Sequence, residues 1–319
     1  MEGEDLLVSI IIITYNSGDY VLETLDSVKE QTYQNIELII SDDGSFDDTV
    51  TLCEKWLSFN MERFVRTKLL VADQNRGIPA NCNNGIKSSS GSIVKLLAGD
   101  DVFYNTAIED CVKLFKTSRF DLLQTNATVF KGALNAPGMK DDWVAARLDR
   151  LFFELAPRQQ YKVLKYRNFL HAPGVFFNSD IFKKIQFDED FALIEDYPFW
   201  IMAAKGGLRI SYSTILTVKY RIHDQSVQYT GKPFASEKKI NMLSAILSKY
   251  YSDYQYSLSR LNHLCYILLD RMGANVNNKL SRTIYSVLEN ITRFSVHLYM
   301  KWLLWFSSSD SRPITRKSS

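Results

Sequence analysis

Residues Leu7–Ile13 form an apolar, mostly β-branched run broken only by Ser9. That is the pattern of a central parallel strand covered on both faces. Val21, Leu25 and Val28 follow at helical spacing, and Ile36–Ile40 reads as a second strand. A third strand is predicted at Lys68–Ala72 and a fourth at Ile93–Leu97, with helix-compatible segments between them. Strands alternating with helices predict an α/β chain with a doubly wound, Rossmann-like, mostly parallel sheet. From about residue 235 the period changes. Met242, Ile246 and Tyr250, then Leu261, Leu264 and Leu268, read as the apolar positions of helices. The pattern therefore predicts an α/β domain over 1–235, a helical region over 236–306 and a disordered, Ser-rich, basic tail over 307–319.

In an open α/β sheet, ligands sit beyond the carboxyl ends of the strands. Thr14-Tyr15-Asn16 follows the first strand, Ser41-Asp42-Asp43-Gly44-Ser45 the second, and Ala98-Gly99-Asp100-Asp101 the fourth. Crowded carboxylates repel one another unless cations or donors compensate. A hard ion, Mn²⁺ or Mg²⁺, completed by substrate phosphates and water, is the simplest compensation. Turn and cap chemistry explains part of the first acidic cluster equally well, and Asp47 or Asp48 reads as a helix cap.

Composition narrows the classes. The 319 residues carry 38 Lys+Arg against 36 Asp+Glu, a near-neutral balance that argues against a dedicated nucleic-acid binder. Cys53, Cys82, Cys111 and Cys265 form no C-x-x-C pair, and four His are too few for a zinc framework. No G-x-G-x-x-G follows the first strand. Gly231-Lys232 is followed by Pro and lacks the preceding glycine of a P-loop. The acidic start, Met-Glu-Gly-Glu-Asp, is unlike a secretory signal, so the chain is expected to be cytoplasmic.

Taken in order, Val8-Ser9-Ile10-Ile11-Ile12-Ile13-Thr14-Tyr15-Asn16, Ser41-Asp42-Asp43-Gly44-Ser45, Gln74-Asn75-Arg76-Gly77, Asn83, Gly91, Gly99-Asp100-Asp101 and Ile194-Glu195-Asp196-Tyr197 resemble glycosyltransferase family 2. The resemblance spans about residues 6–230. It implies a GT-A fold and an inverting, metal-dependent hexosyltransferase, with a nucleoside-diphosphate sugar (UDP-sugar by preference) as donor. A glycan or lipid-linked glycan in surface polysaccharide synthesis is the implied acceptor. Thr14, Tyr15, Asn16, Asp42, Asp43, Arg76, Asn83 and Asp100 are then the nucleotide-sugar residues, with Asp42 supporting the turn and Asp100 directed to the ribose. Asp101 and His223 are the implied metal ligands, Asp196 the base and Glu195 its partner. His171 and Arg221 are implied acceptor or diphosphate contacts. Two places depart from the family pattern: the usual D-x-D reads Ala98-Gly99-Asp100-Asp101 here, and Cys82 stands where Arg often precedes Asn83.

Capping of the following helix explains Glu195-Asp196 as well as catalysis does. A nucleotidyltransferase or a non-catalytic sugar-binding scaffold remains the alternative to a transferase. Residues 279–319 carry seven Lys/Arg against two Asp/Glu, and Asn290, Arg293, His297 and Lys301 make one polar stripe on an otherwise apolar helix. That segment suits either a peripheral contact with the inner membrane face or packing, including a homodimer, through 290–306.

Overall fold

The computed structural model describes residues 5–132, 142–143, 150–223 and 234–309. They fall into two compact units. One comprises the chain up to 148 together with 170–229, and the other 149–169 together with the residues from 230 onward. The change near 235 in the hydrophobic period thus lies close to a change of unit. Residues 149–169, grouped by pattern with the first domain, cluster with the C-terminal helices.

In the first unit, β1 (Val8–Thr14) lies between β2 (Ile36–Asp42) and β4 (Ile93–Ala98), and β3 (Arg66–Val71) flanks β2. All three pairings are parallel. The apolar run of β1 is buried on both faces, as its lack of alternation requires. Helices α1 (Val21–Lys29), α2 (Thr49–Asn60), α3 (Ile78–Lys87) and α4 (Ala107–Thr117) connect and follow these strands. Val21, Leu25 and Val28, at one-turn spacing, join Ile10, Ile12 and Leu38 in the main core.

Beyond β4 the sheet is mixed. β5 (Val102–Phe103), β6 (Leu122–Lys131), β7 (Asp142–Trp143), β8 (Val175–Asn178) and β9 (Ile210–Ile222) complete it. β8 runs antiparallel to β4 and β6, β6 runs parallel to β9, and β5 and β7 add antiparallel edges. The α/β class holds, with the doubly wound parallel character concentrated in β1–β4. Helix α7 (Asp196–Lys205) is anchored by an aromatic cluster. Phe187 stacks on Phe199 at 4.4 Å, and Phe177 stacks on the fully buried Trp200 at 5.9 Å.

The second unit contains α5 (Leu151–Glu154), α6 (Pro157–Leu164), α8 (Glu237–Tyr250), α9 (Leu258–Arg271) and α10 (Lys279–Ser309). Phe234, Ile240 and Tyr266 form a small core there. Helix α10 extends through Ser309, three residues into the segment expected to be disordered; 310–319 lie outside the described residues. Leu261, Leu264 and Leu268 are on a helix as predicted, yet all three are exposed. Among the described residues no helix is long and apolar enough to cross a membrane.

Candidate active site

The strand order reverses at β1: β2 and β3 lie on one side and β4 on the other. This switch point opens a crevice at the carboxyl ends of the strands. Thr14 ends β1 opposite Asp42, and its hydroxyl donates to the Asp42 carboxylate at 2.8 Å. Asp42 is fully buried and also accepts from the Ser45 amide at 2.7 Å and the Ser45 hydroxyl at 2.6 Å. It therefore ties the loop after β2 to β1. Asn16 occupies the left-handed region at φ 50 and is locked there from both sides. Its amide donates to Ser45 Oγ at 2.8 Å, and its Oδ1 accepts from the Phe46 amide at 3.1 Å. Tyr15 projects outward and meets the exposed Phe46 ring edge-on at 6.2 Å. Asp47 binds the Thr49 amide at the start of α2 and the Gly18 amide, both at 3.0 Å, which is the capping role expected for it.

Asp43 accepts from the amides of Arg76 at 3.0 Å and Gly77 at 2.8 Å. Gly77 has φ 93, and a Cβ there would stand 2.8 Å from the Ala192 carbonyl oxygen, so glycine is required. Residues 187–196 thereby pack on the start of α3, where the Ile78 amide donates to the same Ala192 oxygen. Asn83 commits its whole amide to this packing. Its Nδ2 donates to the Phe187 carbonyl and Glu189 Oε1, and its Oδ1 accepts from the Phe187 amide, each at 2.9 Å. The exposed Arg76 guanidinium pairs with Glu189 at 3.1 Å. Asn83, an implied nucleotide contact, thus has both ends of its amide engaged by the 187–189 segment.

The two carboxylates after β4 diverge. Asp101 is fully buried, its Oδ1 accepts from the Arg221 amide at 3.0 Å, and its Oδ2 is buried without a hydrogen-bond partner. Burial, then the neighbouring Asp100 charge, push its carboxyl well above the usual carboxylate range. Asp100 keeps a quarter of its side chain exposed and stands 2.9 Å from His223 Nε2. The pair open to solvent is Asp100–His223, whereas Asp101, the implied metal ligand, is buried. An oxygen and an imidazole nitrogen suit a hard or borderline divalent ion whose remaining positions phosphate and water would fill. Among the described residues no cluster of three or more His, Cys, Asp or Glu side chains is assembled to hold a metal.

The side chain of Arg221, an implied acceptor or diphosphate contact, is turned inward. Its fully buried guanidinium lies between the Tyr20 and Phe130 rings, 4.7 and 4.5 Å from their centroids. Nε donates to the Asp100 carbonyl at 2.8 Å, Nη2 pairs with Glu23 at 2.6 Å, and Nη1 donates to the Gly132 carbonyl. Every edge of the fork is occupied, which makes Arg221 the strut beneath Asp100.

Glu195 precedes α7 without a side-chain cap bond, and Asp196 Oδ1 accepts from the Tyr197 amide at 2.6 Å. Burial, and then the Asp196 charge, raise the Glu195 carboxyl to about 8. His171 meets the Tyr220 ring edge-on at 5.1 Å, with its backbone amide held by Gln124 Oε1 at 2.9 Å. Tyr220 links the clusters: burial, then the charges of Asp101, Asp100 and Glu195, drive its hydroxyl far above the ordinary tyrosine value. Tyr220, Glu23 and Lys95 were not marked by the sequence reading. Lys95 alone carried a signal, a cation inside the apolar run of β4. Its buried Nζ donates to the carbonyls of Pro173 and Val175, at the turn after His171, and burial lowers its ammonium to about 7.

The mixed sheet, with polar segments at the carboxyl ends of β1, β2 and β4, has the architecture expected of a GT-A fold. Residues 9–185 match the family model "Glycosyl transferase family 2", and the chain belongs to that family. An uncharacterized glycosyltransferase of Rickettsia typhi is 30% identical over 237 residues, 70% of this chain and 67% of that one. The Escherichia coli UDP-Glc:alpha-D-GlcNAc-diphosphoundecaprenol beta-1,3-glucosyltransferase WfaP is 26% identical over 273 residues, covering 84% of this chain and 99% of its own. Among solved structures, S. aureus TarS 1-349 in complex with UDP-GlcNAc superposes with a TM-score of 0.57 at 18% identity, covering 93% of this chain and 92% of that one. The mannosyltransferase PcManGT of Pyrobaculum calidifontis, in complex with GDP-Man and Mn2+, gives 0.55 at 14% identity, over 97% and 89%. At these identities the two structures establish the fold.

Proposed function

We propose that the chain is an inverting transferase that moves a sugar from a nucleoside-diphosphate sugar, UDP-linked by preference, to a hydroxyl of a glycan or lipid-linked glycan. The observation that carries this reading is the placement of Asp42 and Asp43 after β2 and of Asp100 after β4, on the two sides of β1 at the point where the strand order reverses. Tyr15 offers its exposed face to the base, and Asp43, with each oxygen already oriented by a backbone amide, retains lone pairs for a base N–H. Asp42 and Asn16 hold that loop, while Arg76 and Asn83 fix the segment leading to Glu195. Asp100 and His223 would hold a Mn²⁺ or Mg²⁺ ion, which supplies charge neutralisation on the leaving diphosphate.

Asp196 accepts the acceptor hydroxyl's proton as the acceptor oxygen bonds to the anomeric carbon. The bond from that carbon to the diphosphate oxygen breaks, and its electron pair leaves with the nucleotide. Glu195, protonated up to about pH 8, donates a hydrogen bond rather than adding a second negative charge. His171 lines the acceptor side. The similarity to WfaP supports a UDP-sugar and an acceptor of the diphosphoundecaprenol-linked type, and the structural neighbour TarS holds UDP-GlcNAc.

The test is a panel of nucleotide sugars with Mn²⁺ and a diphosphoundecaprenol-linked GlcNAc acceptor. Nucleotide release and the product's anomeric configuration are read together. Transfer with inversion is expected. A product that retains the donor configuration refutes the single displacement, and binding without release with every donor favours a non-catalytic scaffold.

A further inference from the structure

The second unit leaves a large apolar surface uncovered. On α10, Val287, Ile291, Phe294, Leu298, Trp302 and Trp305 recur every three or four residues and are all about half or more exposed, Phe294 at 65% and Trp305 at 60%. The inward face of the same helix is a different one, formed by Val296, Met300 and Leu303, each nearly inaccessible. Leu261, Leu264 and Leu268 make a second exposed row on α9.

The two rows belong to one surface. Asn262 bonds to Thr292 and the Tyr266 ring meets Tyr285, so the contacts advance in opposite directions and the helices are antiparallel. At about 100° per residue, each exposed row lies roughly 130–150° from its helix's contact line, in the same rotational sense. Antiparallel helices reverse that sense in space, which brings both rows to the same side.

Charge identifies what covers it. Beside the α10 row, on the flank that also carries Asn290 and His297, lie Lys279 and Lys301, with Arg282 further round the helix; none of the three cations makes an ion pair among the described residues. The one carboxylate of α10, Glu289, is already paired with Arg293. The sequence beyond Ser309 adds Arg312, Arg316 and Lys317 against Asp310. A second copy would meet this helix with the same unpaired cations, whereas an anionic lipid surface supplies both phosphates for these cations and an acyl boundary for the tryptophans.

We propose that the exposed α9–α10 face docks on an anionic phospholipid bilayer, with α10 lying in the plane of the interface. No helix described is suited to crossing the membrane, so the contact is peripheral. This inference does not depend on the transfer chemistry.

The experiment is flotation of the full chain with vesicles of phosphatidylcholine alone or mixed with phosphatidylglycerol. Binding to the phosphatidylglycerol vesicles, weakened by salt, is expected. Phe294→Ser/Leu298→Ser/Trp302→Ser should lower the partition about tenfold or more with the melting temperature maintained, since all three side chains are exposed. Lys279→Glu/Arg282→Glu/Lys301→Glu should abolish the preference for phosphatidylglycerol. Absent vesicle binding, or binding unchanged in either triple variant, overturns the proposal. So does a dimer in light scattering that the first variant converts to monomer without any vesicle binding, an outcome that assigns the face to a second copy.

Discussion

Arg221 Nε donates to the carbonyl oxygen of Asp100 across 2.8 Å, and the Arg221 amide donates to the Asp101 carboxylate at 3.0 Å. One residue of β9 thereby holds the Asp100 main chain and the Asp101 side chain just after β4. Arg221→Met is expected to destabilise the fold by about 2–4 kcal/mol, through lost packing and carbonyls left without donors. Glu23→Gln removes only a partly exposed partner and should cost under about 1 kcal/mol. Thermal unfolding of the two variants checks the ranking.

The divergence of Asp100 and Asp101 predicts different phenotypes for neighbouring substitutions. Asp100→Asn should leave the melting temperature near that of the parent and abolish stimulation by Mn²⁺. Asp101→Asn acts on a buried group pinned to β9, so the response should be chiefly in stability. Metal-titrated activity beside calorimetry separates them; the reverse pattern would return the metal to Asp101.

Asp196→Asn preserves the shape at the start of α7 and removes the proton acceptor. Nucleotide-sugar affinity should stay within about twofold of the parent while turnover falls by about 10²–10⁴. Isothermal titration beside a single-turnover assay gives both readouts.

The raised pKa of Glu195 ties stability to pH. Its carboxyl holds a proton to about 8 when folded and loses it near 4.5 when unfolded. Between those values the native state binds more protons, so its contribution is full below about 4.5 and is lost as pH rises through about 8. Glu195→Gln should therefore flatten the decline in melting temperature between pH 5 and 8.5. A parallel decline in the variant would place the titrating group elsewhere.

Gly91 sits where two strands approach too closely for a side chain. A Cβ there would lie 2.6 Å from the Ser9 amide nitrogen and 2.7 Å from the Leu7 carbonyl oxygen, both backbone atoms. Gly91→Ala is expected to cost about 1–3 kcal/mol in denaturant unfolding. Because Gly91 precedes β4, at the opposite end from the crevice, the donor dissociation constant should not move.

The parallel β1–β4 half was legible in the chain because its information is local. Unbroken β-branched runs demand cover on both faces, and polar residues at their carboxyl ends fall where such a sheet opens a crevice. The strand limits shift by one or two residues, as at β3, which begins at Arg66 instead of Lys68. What only the tertiary structure decided involves partners distant in sequence. The settings of Arg221 and Asn83 depend on contacts 121 and 104 residues away, which no local pattern announces. Asp100 and Asp101 are neighbours of the same chemistry, and only the approach of β9 buries one and leaves the other facing His223. Helical period showed that α9 has an apolar row, but period reports a face and not its neighbour: Leu261, Leu264 and Leu268 turned out to face solvent, because Phe234, Ile240 and Tyr266 form the core beside them.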